Sequence, residues 1–371
     1  MNSWALAIVV STICAPLAGA VVVRRDVTES EVASRASAAW TNAVGALYYD
    51  VTWPQQTVDD WESVFGPWPF SSEDRMGGSG TLIAPHVVLT AAHLFDQESF
   101  AIDDGSAYWR FLTPDGTDIV PPVEVSHWVE HPGFGDVFNG QENAGYDLAL
   151  VFLKNEVEGI DPIEIYRQSN ERGRTGQIVG YGEYVRDDGT VAYGGEGTTP
   201  TKRRGDNRID MVDPHLSPFG VWQGFHPNVM LADYDDPELY AAGIKNNDPE
   251  AAWPINPLGS TAPTNYEAML GSGDSGGGLF TWNPEAFEFQ IMGVNSFIMN
   301  FSDPFGFNYY DYHEISGFAR VSTVADWIDA TIAANPIPSP GGLLLPLVGA
   351  WCVSRSRRRA GSRPSLGHPD S

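Results

Sequence analysis

Cysteine is scarce in this chain of 371 residues. There are two, Cys14 and Cys352, and each lies in a terminal segment. The residues between these segments therefore contain no disulfide and no cysteine-based metal site. Any fold they adopt has to hold its loops by packing and hydrogen bonding alone.

Basic residues are also few. The chain has 21 Lys and Arg against 48 Asp and Glu, and a formal net charge of −27. Such a charge repels nucleic acid and anionic membranes, so we expect no nucleic-acid partner. No regularly spaced acidic loop of the calcium-binding type is present, and we expect no metal and no cofactor. The 39 Gly and 27 Pro indicate a turn-rich, mostly β architecture.

Long hydrophobic runs are missing as well. The first apolar stretch, 5–20, is short for a membrane span and ends in Ala18-Gly19-Ala20. This pattern predicts a secretory signal over residues 1–20, and hence a secreted or cell-envelope protein. The alternative is a buried N-terminal helix, which the charged Arg24-Arg25-Asp26 directly after the run disfavours.

The C-terminal segment 336–371 has three parts. A proline-rich spacer, 336–340, is followed by a short apolar stretch, 341–351, and by an arginine cluster within 355–359. This order resembles the bacterial PEP-CTERM sorting tail, which implies transient membrane association and removal by a sorting peptidase. The spacer reads Pro-Ser-Pro rather than Pro-Glu-Pro, and more residues follow the arginines. A simple C-terminal membrane anchor therefore stays open as the alternative.

Residues 21–335 form one domain in this interpretation. Strands are predicted at 78–83, 87–89, 119–128, 148–153, 177–184, 278–282 and 287–294. A hairpin turn is predicted at 187–189 and a helix at 323–334. Residues 51–76 read as an inserted loop, and 194–265 give no clear assignment.

Three residues have settings that fit nucleophilic catalysis. Ser275 lies in Gly273-Asp274-Ser275-Gly276-Gly277, where glycines expose the hydroxyl and let the amides of Gly273 and Ser275 point at one oxyanion. His93 follows two predicted strands and the small pair Ala91-Ala92, and Asp147 precedes an apolar strand. A base beside a serine and an acid that orients the base are the groups that peptide hydrolysis needs.

Together these motifs resemble the trypsin/chymotrypsin family. The strings GSGTLIAPHVVLTAAH, DLALV and GDSGG occur in the family's order, His before Asp before Ser. His131-Pro132, Gly180-Tyr181-Gly182 and the C-terminal ARVSTVADWIDATIAAN also match. The resemblance implies an all-β fold of two antiparallel six-stranded β-barrels, about 37–170 and 175–320, with a C-terminal α-helix.

The resemblance also implies roles for individual residues. Ser275 is the nucleophile, His93 the general base and then acid, and Asp147 the orienting acid, with Gly273 and Ser275 as oxyanion donors. The activity is that of a serine endopeptidase acting on proteins or peptides. Asp274 matches the acid that pairs with the mature N-terminal amine. The usual activation site is missing, and cleavage after Ala20 would supply Val21 as that amine.

The substrate pocket departs from the trypsin pattern. Met269 stands where trypsin-like relatives have an acid that receives Lys or Arg. Ser296-Phe297-Ile298 aligns with the family's Ser-Trp-Gly wall, so that Ile298 narrows the pocket, while Gly317 keeps the far wall open. We therefore expect an apolar or small residue before the scissile bond.

Two other interpretations compete with this one. Gly273 to Gly277 also fits the G-x-S-x-G nucleophile elbow of an α/β-hydrolase esterase, with Asp311 and His313 as partners. That elbow must lead into a helix, whereas three glycines and a predicted strand follow Ser275. The second alternative is a catalytically inactive binding protein on the same fold, which the complete set of three residues disfavours.

Overall fold

A computed structural model of the protein describes residues 21–24, 26–49, 75–95, 107–135, 145–182, 184–185, 191–192, 201–213, 227–235, 237–242, 262–299 and 314–336. The predicted signal, most of the predicted insertion at 51–76 and the predicted sorting tail after residue 336 lie outside these residues. The insertion ends earlier than expected, because Arg75 and Met76 already belong to a strand. No helix in the described ranges is both long and apolar enough to cross a membrane.

The secondary structure is mostly β, as the sequence predicts. The strands are β1 (Val22–Val23), β2 (Val44–Tyr49), β3 (Arg75–Ala84), β4 (Val87–Thr90), β5 (Ala107–Arg110), β6 (Val123–Glu130), β7 (Ala149–Leu153), β8 (Thr175–Gly180), β9 (Tyr184–Val185), β10 (Val191–Ala192), β11 (Arg203–Arg208), β12 (Met211–Val212), β13 (Val229–Asp233), β14 (Ala268–Met269), β15 (Gly278–Asn283), β16 (Glu288–Met299) and β17 (Ile315–Arg320). The α-helices are α1 (Glu29–Arg35), α2 (Pro237–Ala241) and α3 (Ala325–Ala334), and Ala39–Ala43 and Ala92–Phe95 are short 3₁₀ helices.

The first six-stranded unit is a closed barrel. Its strands are hydrogen-bonded in the order β2-β3-β4-β7-β6-β5, and β5 returns to β2. Strands β2, β4 and β7 are buried along their whole length. The apolar runs of β4 and β7 predicted these two strands, whereas β2 was not predicted. Trp109 fills the interior, and Gly45 and Gly80 make room for it, since a Cβ at either would lie 2.5 Å from its ring.

The second unit is a curled antiparallel sheet of seven strands, in the order β11-β8-β15-β16-β17-β13-β12. This count differs from the six strands that the family resemblance implies. The edge strands β11 and β12 are separated in sequence by Ile209 and Asp210 alone. The side-chain amide of Asn207 on β11 donates to the Asp233 carbonyl on β13, at 2.6 Å, so the two edges of the sheet come together. The sheet is thereby bent into a barrel-like shape.

Two helices flank these units. Helix α1 was not predicted; Thr28 and Glu31 form a capping box at its start, and Arg35 at its end binds Asp206 on β11. Helix α3 was predicted two residues longer at its N-terminus, and it buries Ala325 and Ile328. Together with the barrel and the curled sheet, α3 agrees with a trypsin-like double β-barrel.

Candidate active site

His93 and Asp147 form a hydrogen-bonded pair on the first barrel. His93 lies in the 3₁₀ turn that follows β4, and Asp147 lies two residues before β7, the strand that pairs with β4. The His93 Nδ1 and Asp147 Oδ2 atoms are 2.7 Å apart, and the His93 backbone amide donates to Asp147 Oδ1 at 2.9 Å. Both carboxylate oxygens therefore hold the histidine, one through its ring and one through its main chain.

The ionisation of Asp147 is set by opposing effects. Burial favours the neutral acid, but the charge and hydrogen bonds of His93 and the hydroxyl of Ser296 together outweigh it. The pKa of Asp147 is consequently lower than its ordinary value. An ionised carboxylate at this place accepts the Nδ1 proton of His93 and leaves Nε2 as the proton acceptor.

Ser275 lies on a tight loop just before β15. Gly273 and Gly276 have φ angles of 87° and 79°, a region that side chains disfavour, so the glycines on both sides are needed to form this loop. A Cβ on Gly276 would also lie 2.0 Å from Thr90 Oγ1 and 2.9 Å from the Ala91 amide nitrogen. The serine loop is thus pressed against the chain two residues before His93.

A backbone hydrogen bond joins the two units at the same point. The Ser79 amide on β3 donates to the Ser275 carbonyl at 2.8 Å. The residues predicted from three distant motifs are therefore brought to one junction, with the histidine and acid on the closed barrel and the serine on the curled sheet.

Asp274 is completely buried beside Ser275. Its carboxylate accepts the amides of Gly182 and Gly271, both at 2.8 Å. Val21 is also fully buried, and the following Val22 pairs with Met269 on β14. The structure contains the uncut chain, in which the Val21 nitrogen is a peptide nitrogen, so the pairing of a Val21 amine with Asp274 stays a prediction.

Four of the five predicted pocket residues lie in two contacts, and the fifth, Ser296, lies elsewhere. Met269 and Ile298 pack together with Val22 and with Tyr234, a residue to which no sequence signal pointed. Phe297 pairs with Gly317, and a Cβ on Gly317 would lie 2.2 Å from the Phe297 ring. The glycine at 317 therefore makes room for the Phe297 ring. That Gly317 keeps the far wall of the pocket open stays a prediction.

Ser296 faces the acid rather than the pocket. Its hydroxyl donates to Asp147 Oδ2 at 2.5 Å, so this carboxylate oxygen serves both Ser296 and the His93 ring. Ser296 lies at a bulge in the pairing of β16 with β17. At a bulge the regular alternation of side chains between the two faces of the sheet is interrupted. The sequence could not indicate this contact, because a bulge is decided by strand register.

The α/β-hydrolase alternative does not agree with the fold. The chain after Ser275 continues into β15, a strand, whereas a nucleophile elbow leads into a helix. The partners proposed for that alternative, Asp311 and His313, lie outside the described residues.

Comparison with known proteins gives one family. Residues 61–209 match the family model described as Trypsin, a stretch that contains His93 and Asp147 and ends before Ser275. No curated protein matches the chain significantly. The matched stretch, the closed barrel with its curled partner sheet and the order of the three motifs agree: the chain contains a trypsin-like serine protease domain.

Proposed function

We propose that this protein is a secreted serine endopeptidase that hydrolyses peptide bonds with Ser275, His93 and Asp147. The observation that carries the proposal is the His93–Asp147 pair, hydrogen-bonded at 2.7 Å, next to the glycine-flanked loop of Ser275. An acid, a base and a hydroxyl form the minimal machinery of acyl transfer, and Ser275 is only partly buried.

The reaction follows from these groups. The Ser275 hydroxyl attacks the peptide carbonyl and gives its proton to His93 Nε2, while Asp147 stabilises the imidazolium that forms. The amides of Gly273 and Ser275 donate to the oxyanion of the tetrahedral intermediate. His93 then protonates the leaving amine, the C–N bond breaks, and an acyl-enzyme remains. Water, deprotonated by His93, hydrolyses the acyl-enzyme and regenerates Ser275.

The pocket favours a small or apolar residue before the scissile bond. Met269 offers no charge to a Lys or Arg side chain, and a buried cation without a partner is costly. The Phe297 ring against Gly317 removes space that a large side chain would need. We infer a preference for small apolar residues.

Active-site labelling tests the proposed activity. A fluorophosphonate probe should label the wild type and a Ser272→Ala control, which changes a serine of the same loop. Ser275→Ala should be unlabelled, and its peptide hydrolysis should fall by several powers of ten, as should that of His93→Ala. Wild-type turnover in Ser275→Ala, or a purified wild type that is neither labelled nor active, would show that the protein is not this enzyme.

We further propose that export produces the active form. Removal of residues 1–20 would start the chain at Val21, whose buried neighbour Val22 is already paired with Met269. The tail after 335–339 would be removed as a sorting signal. The extracellular protein should then begin at Val21 and end near these residues, which N-terminal sequencing and intact mass determine. A retained arginine cluster would indicate a simple anchor, and a start well after Arg25 would contradict the proposed N-terminus.

A further inference from the structure

Ser79 lies where the closed barrel meets the nucleophile loop. It is fully buried on β3, and both its backbone and its side chain are hydrogen-bonded. The amide donates to the Ser275 carbonyl at 2.8 Å, and its own carbonyl accepts the Thr90 hydroxyl at 2.7 Å. The side-chain hydroxyl donates to the Gly273 carbonyl and accepts the Tyr181 amide, each at 3.2 Å.

The side-chain bonds act on the residue that carries the proposed oxyanion donor. The peptide between Gly273 and Asp274 is held at both ends, because its carbonyl accepts from Ser79 Oγ and its amide donates to the Gly271 carbonyl at 3.1 Å. Fixing this peptide restricts the direction of the Gly273 N–H, which the φ of 87° at Gly273 also helps to set. Glycine has few restraints of its own, so the orientation has to come from such contacts.

Tyr181, whose amide donates to Ser79 Oγ, is itself held rigidly. Tyr181 is fully buried, and its hydroxyl donates to the Val44 carbonyl at 3.1 Å and accepts the Leu112 amide at 3.3 Å. Its ring is therefore fixed in the closed barrel, while its amide holds Ser79 Oγ. The hydroxyl of Ser79 links a fixed point of the barrel to the loop that must present the amides.

We propose that Ser79 is a positioning residue for the oxyanion hole, a role that rests on the proposed peptidase function. Only a hydroxyl both donates to Gly273 and accepts from Tyr181 at this place. Any residue other than proline at position 79 would still donate its amide to Ser275, so the nucleophile loop stays attached when the hydroxyl is removed. The loss should therefore fall on stabilisation of the tetrahedral intermediate, not on binding of the ground state.

Ser79→Ala tests this role, because it removes one oxygen atom and keeps every backbone bond. We expect kcat per titrated active site to fall about tenfold, the effect of losing one such hydrogen bond, with KM unchanged within about twofold. The inhibition constant of a peptide aldehyde, which forms an oxyanion-bearing adduct with the serine, should rise by the same factor. Ser79→Gly, which also keeps both backbone bonds, should give the same pattern if the alanine variant does not fold.

Thr41→Val is the matched control. Thr41 is fully buried, and its hydroxyl donates to the carbonyls of Ala36 and Ala38, away from the nucleophile loop. This variant should lose stability but keep kcat and aldehyde affinity. An unchanged kcat in folded Ser79→Ala or Ser79→Gly, or a loss confined to KM, would overturn the positioning role while leaving the peptidase function intact. An inactive wild type in the same assay would refute both.

Discussion

The closed barrel and the curled sheet bury different kinds of side chain. Among the described residues of the closed barrel, the buried polar groups are hydroxyls and one carboxylate, Asp147, around an apolar core. The curled sheet and its flanking loops bury many charged groups: Glu171, Lys202, Arg203, Asp210, Asp233, Asp235, Glu267, Asp274, Glu314 and Arg320.

This difference separates two ways of stabilising a fold without disulfides. Buried charges are costly unless they are paired, so a sheet that contains them depends on individual polar contacts. The apolar barrel depends on packing, and Asp147, the buried acid among its described residues, binds His93 and Ser296. We therefore expect substitutions of charged residues to affect activity in the barrel and stability in the curled sheet.

The largest effect should come from Asp147→Asn. An amide at this position favours the wrong tautomer of His93, and we expect kcat to fall about 10⁴-fold with little change in melting temperature. Asp118→Asn is the control, since Asp118 belongs to a partly exposed pair with Arg110 on the same barrel. Steady-state kinetics and thermal unfolding measure both quantities, and an active Asp147→Asn enzyme would contradict the assignment.

The next effect concerns the buried ion pair of Arg320 and Glu171. Arg320 binds Glu171 at 3.0 Å and Asp213 at 2.7 Å, and Glu171 is fully buried. Arg320→Met leaves that carboxylate uncompensated and should lower the free energy of unfolding by about 3–5 kcal/mol.

The barrel supplies the control for this pair. Arg110→Met breaks the partly exposed ion pair with Asp118, where the expected cost is about 0–1 kcal/mol. Denaturant unfolding of the two variants compares them directly. Equal losses would refute the proposed difference between the two units.

The pocket prediction concerns specificity. Phe297→Ala removes the ring that lies against Gly317. The ratio of kcat/KM for substrates with a large apolar residue before the scissile bond to those with alanine should rise about 10- to 100-fold. Trp282→Ala, which changes a 44 % exposed aromatic on β15, should leave the ratio unchanged. The ratio is measured within one variant, so lost stability does not affect it. Strong selection by the wild type for Arg or Lys before the scissile bond would contradict the predicted preference for small apolar residues.

Two buried charged residues that flank the curled sheet should also make stability depend on pH. Burial raises the pKa of Glu267 to about 8, so between its ordinary value and 8 the folded chain binds a proton that the unfolded chain has lost. The stability of the folded state that depends on this proton is fully present below pH 4.5 and is lost as the pH rises to 8. Glu267→Gln should remove that loss and be more stable than wild type at alkaline pH.

Lys202 should act in the opposite direction. Burial lowers its pKa to about 7, so its penalty grows as pH falls from 10.5 to 7. Lys202→Met should therefore flatten the stability curve above pH 7 and leave its slope between pH 4.5 and 7, where Glu267 titrates, unchanged. Urea unfolding across pH 4–10 measures both, and two variants with the wild-type pH profile would contradict the assignment.

Much of the fold was predictable where one physical signal dominated. The apolar runs of β4 and β7 and the helical spacing in α3 predicted their elements within a few residues. Strand β11 was not predicted, because it contains Arg, Gly, Asp and Asn, which favour loops in isolation. Strand β13 was not predicted either, although its sequence, VMLAD, is a short apolar run. Their strand conformation comes from ladders with β8 and β17, partners distant in sequence. The capping box of α1 was readable in Thr28 and Glu31 and was overlooked.

The sequence by itself determined which residues could perform the chemistry: a serine between glycines, a histidine after two strands and an acid before a third, in the family's order. It also determined that the body has no disulfide, since both cysteines are terminal. Only the tertiary structure decided that Ser296 binds Asp147, that the Phe297 ring covers Gly317 and that the Ser79 hydroxyl holds Gly273. These contacts depend on strand register, on a bulge and on the meeting of two units, which local patterns do not encode because the partners lie far apart along the chain.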